Sequence, residues 1–311
     1  MVALPEDRET MEERLVEEIL RLKEERDAVI FAHNYQVPAV QDVADLVGDS
    51  LELARAATAY DADVIIFCGV DFMAQTAAIL SPEKRVVLPA GDACCPMAAM
   101  VTAGEVRVLK ERFPDAAVVC YVNTSAEVKA ESDICCTSAN AVKVVESLEE
   151  ERILFVPDRN LARYVARFTT KEVMPWDGFC YVHDRFTPEN VQDARRLHPE
   201  AEVLVHPECR PEVIDLADYV QSTSGMVRHA CASTARSFII GTETGIIHQM
   251  RKKCPDKKFF PLSERAVCIN MKKTDLEKVR NSLVTLEPRV TVPADVADRA
   301  RTAIERMLAV K

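Results

Sequence analysis

The chain has 311 residues, 48% of them hydrophobic, and its 50 acidic against 39 basic side chains give a formal charge of −11. That length and apolar content suffice for two or three ordinary cores, while an acidic balance with no basic cluster or RNA-binding aromatic motif excludes nucleic acid as an expected partner. No apolar run approaches the roughly 18 residues that span a bilayer, and MVALPEDRETMEERL offers no basic or apolar leader region, so a soluble cytoplasmic protein with no membrane partner is expected.

In chain order, residues 9–27 read as an amphipathic helix with Met11, Leu15, Ile19 and Leu22 on one stripe. Short β-branched runs then alternate with helical patterns. AVIFAH, DVIIFCG and RVVLPA come first; AAVVCYV, DICCTS, RILFVP and EVMPW follow; EVLVHP, YVQST, SFIIGT and KFFPLS complete the series. Such alternation predicts parallel α/β sheets, and continuous apolar strands predict helices on both sheet faces. After Pro293, ADVADRARTAIERMLAV predicts a closing helix with Val296, Ala300, Ile304 and Met307 inward.

One template occurs three times, at 33–50, 121–138 and 206–223. His33 and Tyr35 correspond to Tyr121 and Asn123 and to His206 and Glu208, two polar side chains at alternate positions just after an apolar run. A hydroxyl follows the first of each pair by 17 positions, at Ser50, Ser138 and Thr223. PAVQDVADLVGDS and PEVIDLADYVQST match in between, and Asp133 keeps their repeated aspartate in the second copy. Each copy goes on to an apolar run ending in proline (Pro89, Pro175, Pro261) and then to Cys95, Cys180 or Cys268, 45, 42 and 45 residues after the hydroxyls. Repeats of this size are whole supersecondary units. They predict three homologous α/β/α domains with small parallel sheets related by pseudo-three-fold symmetry: 1–113 with the N-terminal helix, 114–199, and 200–311 with the C-terminal helix.

Ligands of such sheets bind beyond the carboxyl ends of the strands, where the next helix begins. A lone Ser or Thr there reads as an N-cap, but three matched copies around one axis predict an anion cradle of hydroxyls and helix N-termini. Eleven cysteines, an odd number, disfavour a disulfide framework and raise metal or catalytic use. Only Cys95, Cys180 and Cys268 hold equivalent places in the units, and three thiolates on an axis suit three irons of a [4Fe-4S] cluster, leaving the fourth iron open as a Lewis acid. Cys94 beside Cys95 leaves two candidates for the first ligand. Cys68, Cys120, Cys135, Cys136, Cys231 and Cys254 are expected to pack as small hydrophobes. Cys180, His183, His206 and Cys209 form C-x-x-H and H-x-x-C pairs, a rival zinc set that ignores the repeat.

His33, Tyr35, Tyr121, Asn123, His206 and Glu208 would ring the axis with donors, acceptors and proton carriers, and Glu208 is the best candidate general base, with Tyr35, His33 and His206 as further catalytic residues. Dinucleotide, P-loop and G-x-S-x-G motifs are absent.

AHNYQ-x-P-x-V-Q-D-x-A-D-x-x-G-D-S at 32–50, FCGVDFMAQTA at 67–77, CYVNT at 120–124, TSAN at 137–140, GFC-x-x-H at 178–183, HPEC at 206–209 and C-x-N-M-K-K at 268–273 together resemble the quinolinate synthase family, in order and over essentially the whole chain. The resemblance implies condensation of iminoaspartate with dihydroxyacetone phosphate to quinolinate, with loss of phosphate and two waters, in NAD biosynthesis. It also implies a functional link to an L-aspartate oxidase or aspartate dehydrogenase. The family's cluster ligands fall on Cys95, Cys180 and Cys268, its proton-transferring tyrosine on Tyr35, and its substrate contacts on His33, Ser50, Tyr121, Val122, Asn123, Ser138, His206, Pro207, Glu208 and Thr223. Members commonly have glycine where this chain has Cys94, and the resemblance puts the first ligand on Cys95. A radical enzyme of the diphthamide-synthesis type is the nearest enzymatic alternative; an iron-sulfur redox sensor or a zinc-stabilised binding module represents another class.

Overall fold

The structure, a computed structural model, describes residues 5–310, with side chains from Met11 onward. Among these residues twelve strands form three four-stranded parallel sheets. The first contains β1 (Ala28–His33), β2 (Leu46–Gly48), β3 (Val64–Cys68) and β4 (Arg85–Val87) in the order β2-β1-β3-β4. The second holds β5 (Ala116–Tyr121), β6 (Ile134–Cys136), β7 (Arg152–Val156) and β8 (Glu172–Pro175), and the third β9 (Glu202–Val205), β10 (Tyr219–Val220), β11 (Ser237–Gly241) and β12 (Lys258–Pro261), each in the same relative order. Register repeats too: Phe31 stands opposite Leu46, Val119 opposite Ile134, and Leu204 opposite Tyr219. The expected α/β class with three small parallel sheets is therefore observed.

Both faces of the first sheet are buried, as its continuous apolar strands require. Val29, Phe31, Ile65 and Phe67 enter a large core shared with the other units, while Ile30, Ala32, Val64 and Ile66 enter a smaller one beneath helices Pro5–Glu25 and Leu276–Thr285. The repeated aspartate is structural. Asp45, Asp133 and Asp218 accept the N–H of Ile30, Val118 and Val203 at 2.8, 2.7 and 2.7 Å, and return their own N–H to the same residues' carbonyls. Each thereby joins the second strand of its sheet to the first. In the first unit that second strand, β2, is only three residues long and was not predicted; pairing with β1, more than its own pattern, makes it a strand.

The N-terminal helix buries Ile19 and Leu22 as expected, but Met11 is exposed, a turn and more beyond the last packed residue of the stripe. It ends at Glu25 because Asp27 turns into the left-handed region at φ 47° just before β1. The closing helix Ala294–Ala309 buries Ala300, Ile304 and Met307, with Val296 half-buried. Although it follows the third sheet in sequence, it packs on helix Ala126–Glu131 and β6 of the second, and Leu276–Thr285 packs on the first unit's N-terminal helix. The chain's end thus straps all three units together. Among the described residues no helix is long and apolar enough to cross a membrane.

Cys231 and Cys254, expected to pack as free thiols, are joined in a disulfide. Helices Thr223–Ala232 and Ile246–Lys253 bring their Cα atoms to 5.7 Å, inside bonding range. An odd cysteine count excludes complete pairing but not one bridge. The other nine are free, and Cys68, Cys120, Cys135 and Cys136 are buried as expected.

Candidate functional site

Three strands deliver the paired polar residues to one place. His33 and Tyr121 close β1 and β5, and His206 follows β9. In the first and third units the pair has the same local geometry: His33 Nδ1 accepts the Tyr35 N–H at 3.2 Å, and His206 Nδ1 accepts the Glu208 N–H at 3.4 Å. Each imidazole proton therefore sits on Nε2.

A cavity of about 70 Å³ lies where the units meet. His33, Tyr35, Ser50, Cys95, Tyr121, Asn123, Ser138, Cys180, His206, Glu208, Thr223 and Cys268 all line it. Val122 and Pro207, also expected as contacts, are buried between lining residues without reaching the cavity.

The hydroxyl residues are not N-caps. Asp49 caps helix Ser50–Ala59, and Ser222 caps Thr223–Ala232. Asn140 holds the Ncap position of Ala141–Glu146. Ser50 and Thr223 are thus first-turn residues, and two helix N-termini meet the cavity side by side. Ser222 Oγ donates to Asp49 Oδ2 at 3.2 Å, Asn34 Nδ2 donates to Thr223 Oγ1 at 3.1 Å, and Ser138 Oγ pairs with His206 Nε2 at 3.1 Å. Asn123 Oδ1 is buried without a hydrogen-bond partner beside this cavity. An orphan acceptor there is complementary to a ligand donor.

Electrostatics divides the polar groups into two sets. Burial pulls His33 down to about 3 with help from Lys272, and pulls His206 down to about 3 although Glu208 opposes it, so both rings are neutral. Burial and then the charge of Glu208 raise Tyr35 and Tyr121 well above the ordinary phenol, keeping both hydroxyls protonated. Burial also works against charge on Glu208, but the facing His183 and His206 rings and the Tyr121 hydroxyl outweigh it and hold the carboxyl below its usual range.

His183, which the sequence places in a zinc set and in the GFC-x-x-H motif but in no catalytic role, faces Glu208. Its ring stacks on His206 with centroids 4.5 Å apart. Nδ1 lies 2.5 Å from Glu208 Oε2, while Nε2 pairs with Thr242 Oγ1 at 2.8 Å. Thr242 Oγ1 in turn lies 2.5 Å from the Tyr35 hydroxyl. Glu208, His183, Thr242 and Tyr35 form one buried chain, two members of which have no matched polar partner in the repeat. The H of GFC-x-x-H was a signal for His183; nothing distinguished Thr242.

Cys95 lines the cavity and Cys94 is exposed, so Cys95 is the unit's inward cysteine. Cys209 is buried with its thiol toward the Gly241 carbonyl at 3.6 Å, away from the cavity lining, so the four-residue zinc set is not assembled. Among the described residues, Cys180, His183 and Glu208 alone bring three such ligand atoms within 4.8 Å of one another. Burial pushes the Cys95 thiol up to about 12 and raises Cys180 and Cys268 as well. Three thiols, one per unit, on one cavity wall are a donor set that fits a cationic metal group, which would deprotonate them on binding.

A family model described as Quinolinate synthetase A protein matches residues 17–309. The chain belongs to that family. It is 67% identical over 295 residues to a quinolinate synthase of Methanoregula boonei, covering 95% of this chain and 98% of the relative. It is 59% identical over 298 residues to that of Desulforudis audaxviator (96% and 98% covered), and 55% identical over 301 residues to quinolinate synthase 2 of Methanosarcina acetivorans (96% and 97% covered).

Proposed function

We propose that the chain is a quinolinate synthase acting in NAD biosynthesis, condensing iminoaspartate with dihydroxyacetone phosphate to quinolinate with release of phosphate and two waters. The observation that carries this is the convergence of one thiol, one hydroxyl and a pair of polar strand-end residues from each of three units on one cavity. Cys95, Cys180 and Cys268 would hold a [4Fe-4S] cluster. When bound, it supplies Lewis-acid chemistry for losing a hydroxyl as water.

The chain's own residues do the rest. The N-termini of Ser50–Ala59 and Thr223–Ala232, with the Ser50 and Thr223 hydroxyls, bind the carboxylates and phosphate of the anionic substrates. Neutral His33 and His206 donate through Nε2 to substrate oxygens, and Asn123 Oδ1 accepts from the imine or amine nitrogen. Tyr35 exchanges a proton with the reacting carbon or oxygen and passes it through Thr242 to His183, whose imidazolium the Glu208 carboxylate stabilises. Glu208 thereby acts through His183 rather than as a free base. The Tyr121 hydroxyl holds the carboxylate in place.

The test is an anaerobic preparation assayed for iron, sulfide and zinc, then given dihydroxyacetone phosphate with an iminoaspartate source such as an L-aspartate oxidase. Near-stoichiometric four-iron content with quinolinate formation is expected. Bound zinc, no sulfide and no product would replace the cluster by a single ion at Cys180, His183 and Glu208.

A further inference from the structure

The backbone N–H of each cavity cysteine is held by a carboxylate from the end of the third strand of its own unit. Cys95 donates to Asp71 Oδ1 at 3.3 Å, Cys180 to Asp158 Oδ2 at 3.2 Å, and Cys268 to Glu243 Oε1 at 3.2 Å. A second bond runs the other way. The N–H groups of Asp71, Arg159 and Thr244 donate, each at 2.9 Å, to the carbonyls of Ala93, Gly178 and Ala266, the residues two before each cysteine. Every thiol loop is thus fastened twice to the strand end that faces the cavity.

The carboxylates are themselves fixed. Asp71 Oδ1 also accepts the Phe72 N–H at 2.8 Å. Asp158 Oδ1 accepts the Leu161 N–H at 2.7 Å as the cap of helix Arg159–Val165. Glu243 Oε2 accepts the Gly245 N–H at 2.7 Å, and the Lys272 ammonium lies 2.9 Å from Glu243 Oε1. Asp158 and Glu243 are fully buried. Two glycines let the chains approach: a Cβ on Gly178 would meet the Pro157 carbonyl at 2.4 Å, and one on Gly245 would meet Glu243 Oε2 at 2.8 Å.

The acids do not occupy one repeated position. Val64, Arg152 and Ser237 open the equivalent strands, opposite Arg85, Glu172 and Lys258. Asp158 and Glu243 lie six residues beyond that start, where the first unit has Val70, and Asp71 lies seven beyond. The same contact is reached from two positions and with two side-chain lengths. What the three units share is the bond to the cysteine, and a mere relic of the repeat would not have moved with it.

We propose that Asp71, Asp158 and Glu243 are positioning residues that hold the three thiol loops convergent before any metal arrives. The latch itself needs only the loops; its consequence for metal retention rests on the cluster reading above. The hydrogen-bond pattern makes the three acids unequal in one respect. At Asp71 a single oxygen takes both N–H groups, so an amide can keep both bonds. At Asp158 and Glu243 the two oxygens accept from different N–H groups, so an amide must turn an NH2 group toward a donor.

The test is amide hydrogen exchange at the three cysteines in the metal-free chain under anaerobic conditions, with iron release to a chelator measured on the reconstituted protein. In D158N the Cys180 amide is expected to exchange about tenfold faster or more, with Cys95 and Cys268 unchanged, and iron release to accelerate alongside. D71N is expected to leave Cys95 within about twofold, since its bonds survive. Cys180 exchanging at the unmodified rate in D158N, or D71N loosening Cys95 as much as D158N loosens Cys180, would overturn the latch. If D158N does not fold, E243Q asks the same of Cys268. If the unmodified chain takes up no iron and sulfide while D158N still loosens Cys180, the latch stands and the cluster reading falls.

Discussion

Thr242→Val removes one oxygen and almost no volume from the buried chain between Glu208 and Tyr35. Thr242 Oγ1 stands 2.5 Å from the Tyr35 hydroxyl and 2.8 Å from His183 Nε2, whereas those two groups are 3.4 Å apart and only weakly linked without it. All three residues are buried, so water does not readily replace the lost hydroxyl. Each of the two hydrogen bonds lost with its partner left buried costs about 1–3 kcal/mol of stability, and a broken acid–base relay costs about 10²–10⁴ in rate. The variant is expected to keep its iron content and its KM values, to melt a few degrees lower, and to lose about a hundredfold or more in kcat for quinolinate formation. Thr242→Ser, which restores the oxygen, should recover most of the rate. If Thr242→Val turned over within threefold of the unmodified protein with the same pH profile, the chain would be a packing feature and Tyr35 would have to exchange protons by another route.

Cys95→Ser is expected to abolish near-stoichiometric iron and sulfide binding on anaerobic reconstitution while Cys94→Ser does not, because only Cys95 lines the cavity; equal losses would undo that assignment. Alkylation of the denatured, unreduced chain should label nine thiols, with two more appearing after reduction. Eleven at the outset would mean that the bridge does not form. His33 and His206 fall from 6.5 to about 3 on folding, so the unfolded chain binds more protons between those values and stability drops as pH falls through them. Each contributes a slope of about 1.4 kcal/mol per pH unit between those two values, so its stability is full above the unfolded pKa and is lost progressively as pH falls toward the folded one. Denaturant melts at pH 7.5 and 5 should show a smaller difference in His206→Asn than in the unmodified metal-free chain, and an unchanged difference would mean that the ring is solvated. Glu208→Gln is expected to lower kcat by about 10² or more by removing the charge that faces His183; retained activity would dismiss it from the relay.

Much of the site was legible because the chain states its plan three times. A residue type recurring at a fixed distance from the end of an apolar run must lie at equivalent points of equivalent sheets, so His33 with His206, Ser50 with Thr223, and the three cysteines could be gathered without coordinates. Asp45, Asp133 and Asp218 recur for a structural reason, each tying two strands, which shows that repetition alone does not separate scaffold from site. Burial was readable to the same degree, since continuous apolar strands allow no exposed sheet face.

What broke the repeat could be found only in the folded chain. His183 and Thr242 come from two different units and meet beside the cavity, a separation of 59 residues that no local pattern encodes. Asp71 sits one position away from the place its partners hold, so a count along the sequence passes it by, while the hydrogen bond to the cysteine picks it out. The closing helix lies on the second unit because Ala300, Ile304 and Met307 find an apolar surface there, and Cys231 pairs with Cys254 because two helices happen to bring them within bonding range. Sequence periodicity determines which face of each element is apolar and which ends carry chemistry. Which elements then meet depends on packing between units, a sum over many contacts distant along the chain, and only the tertiary structure decides it.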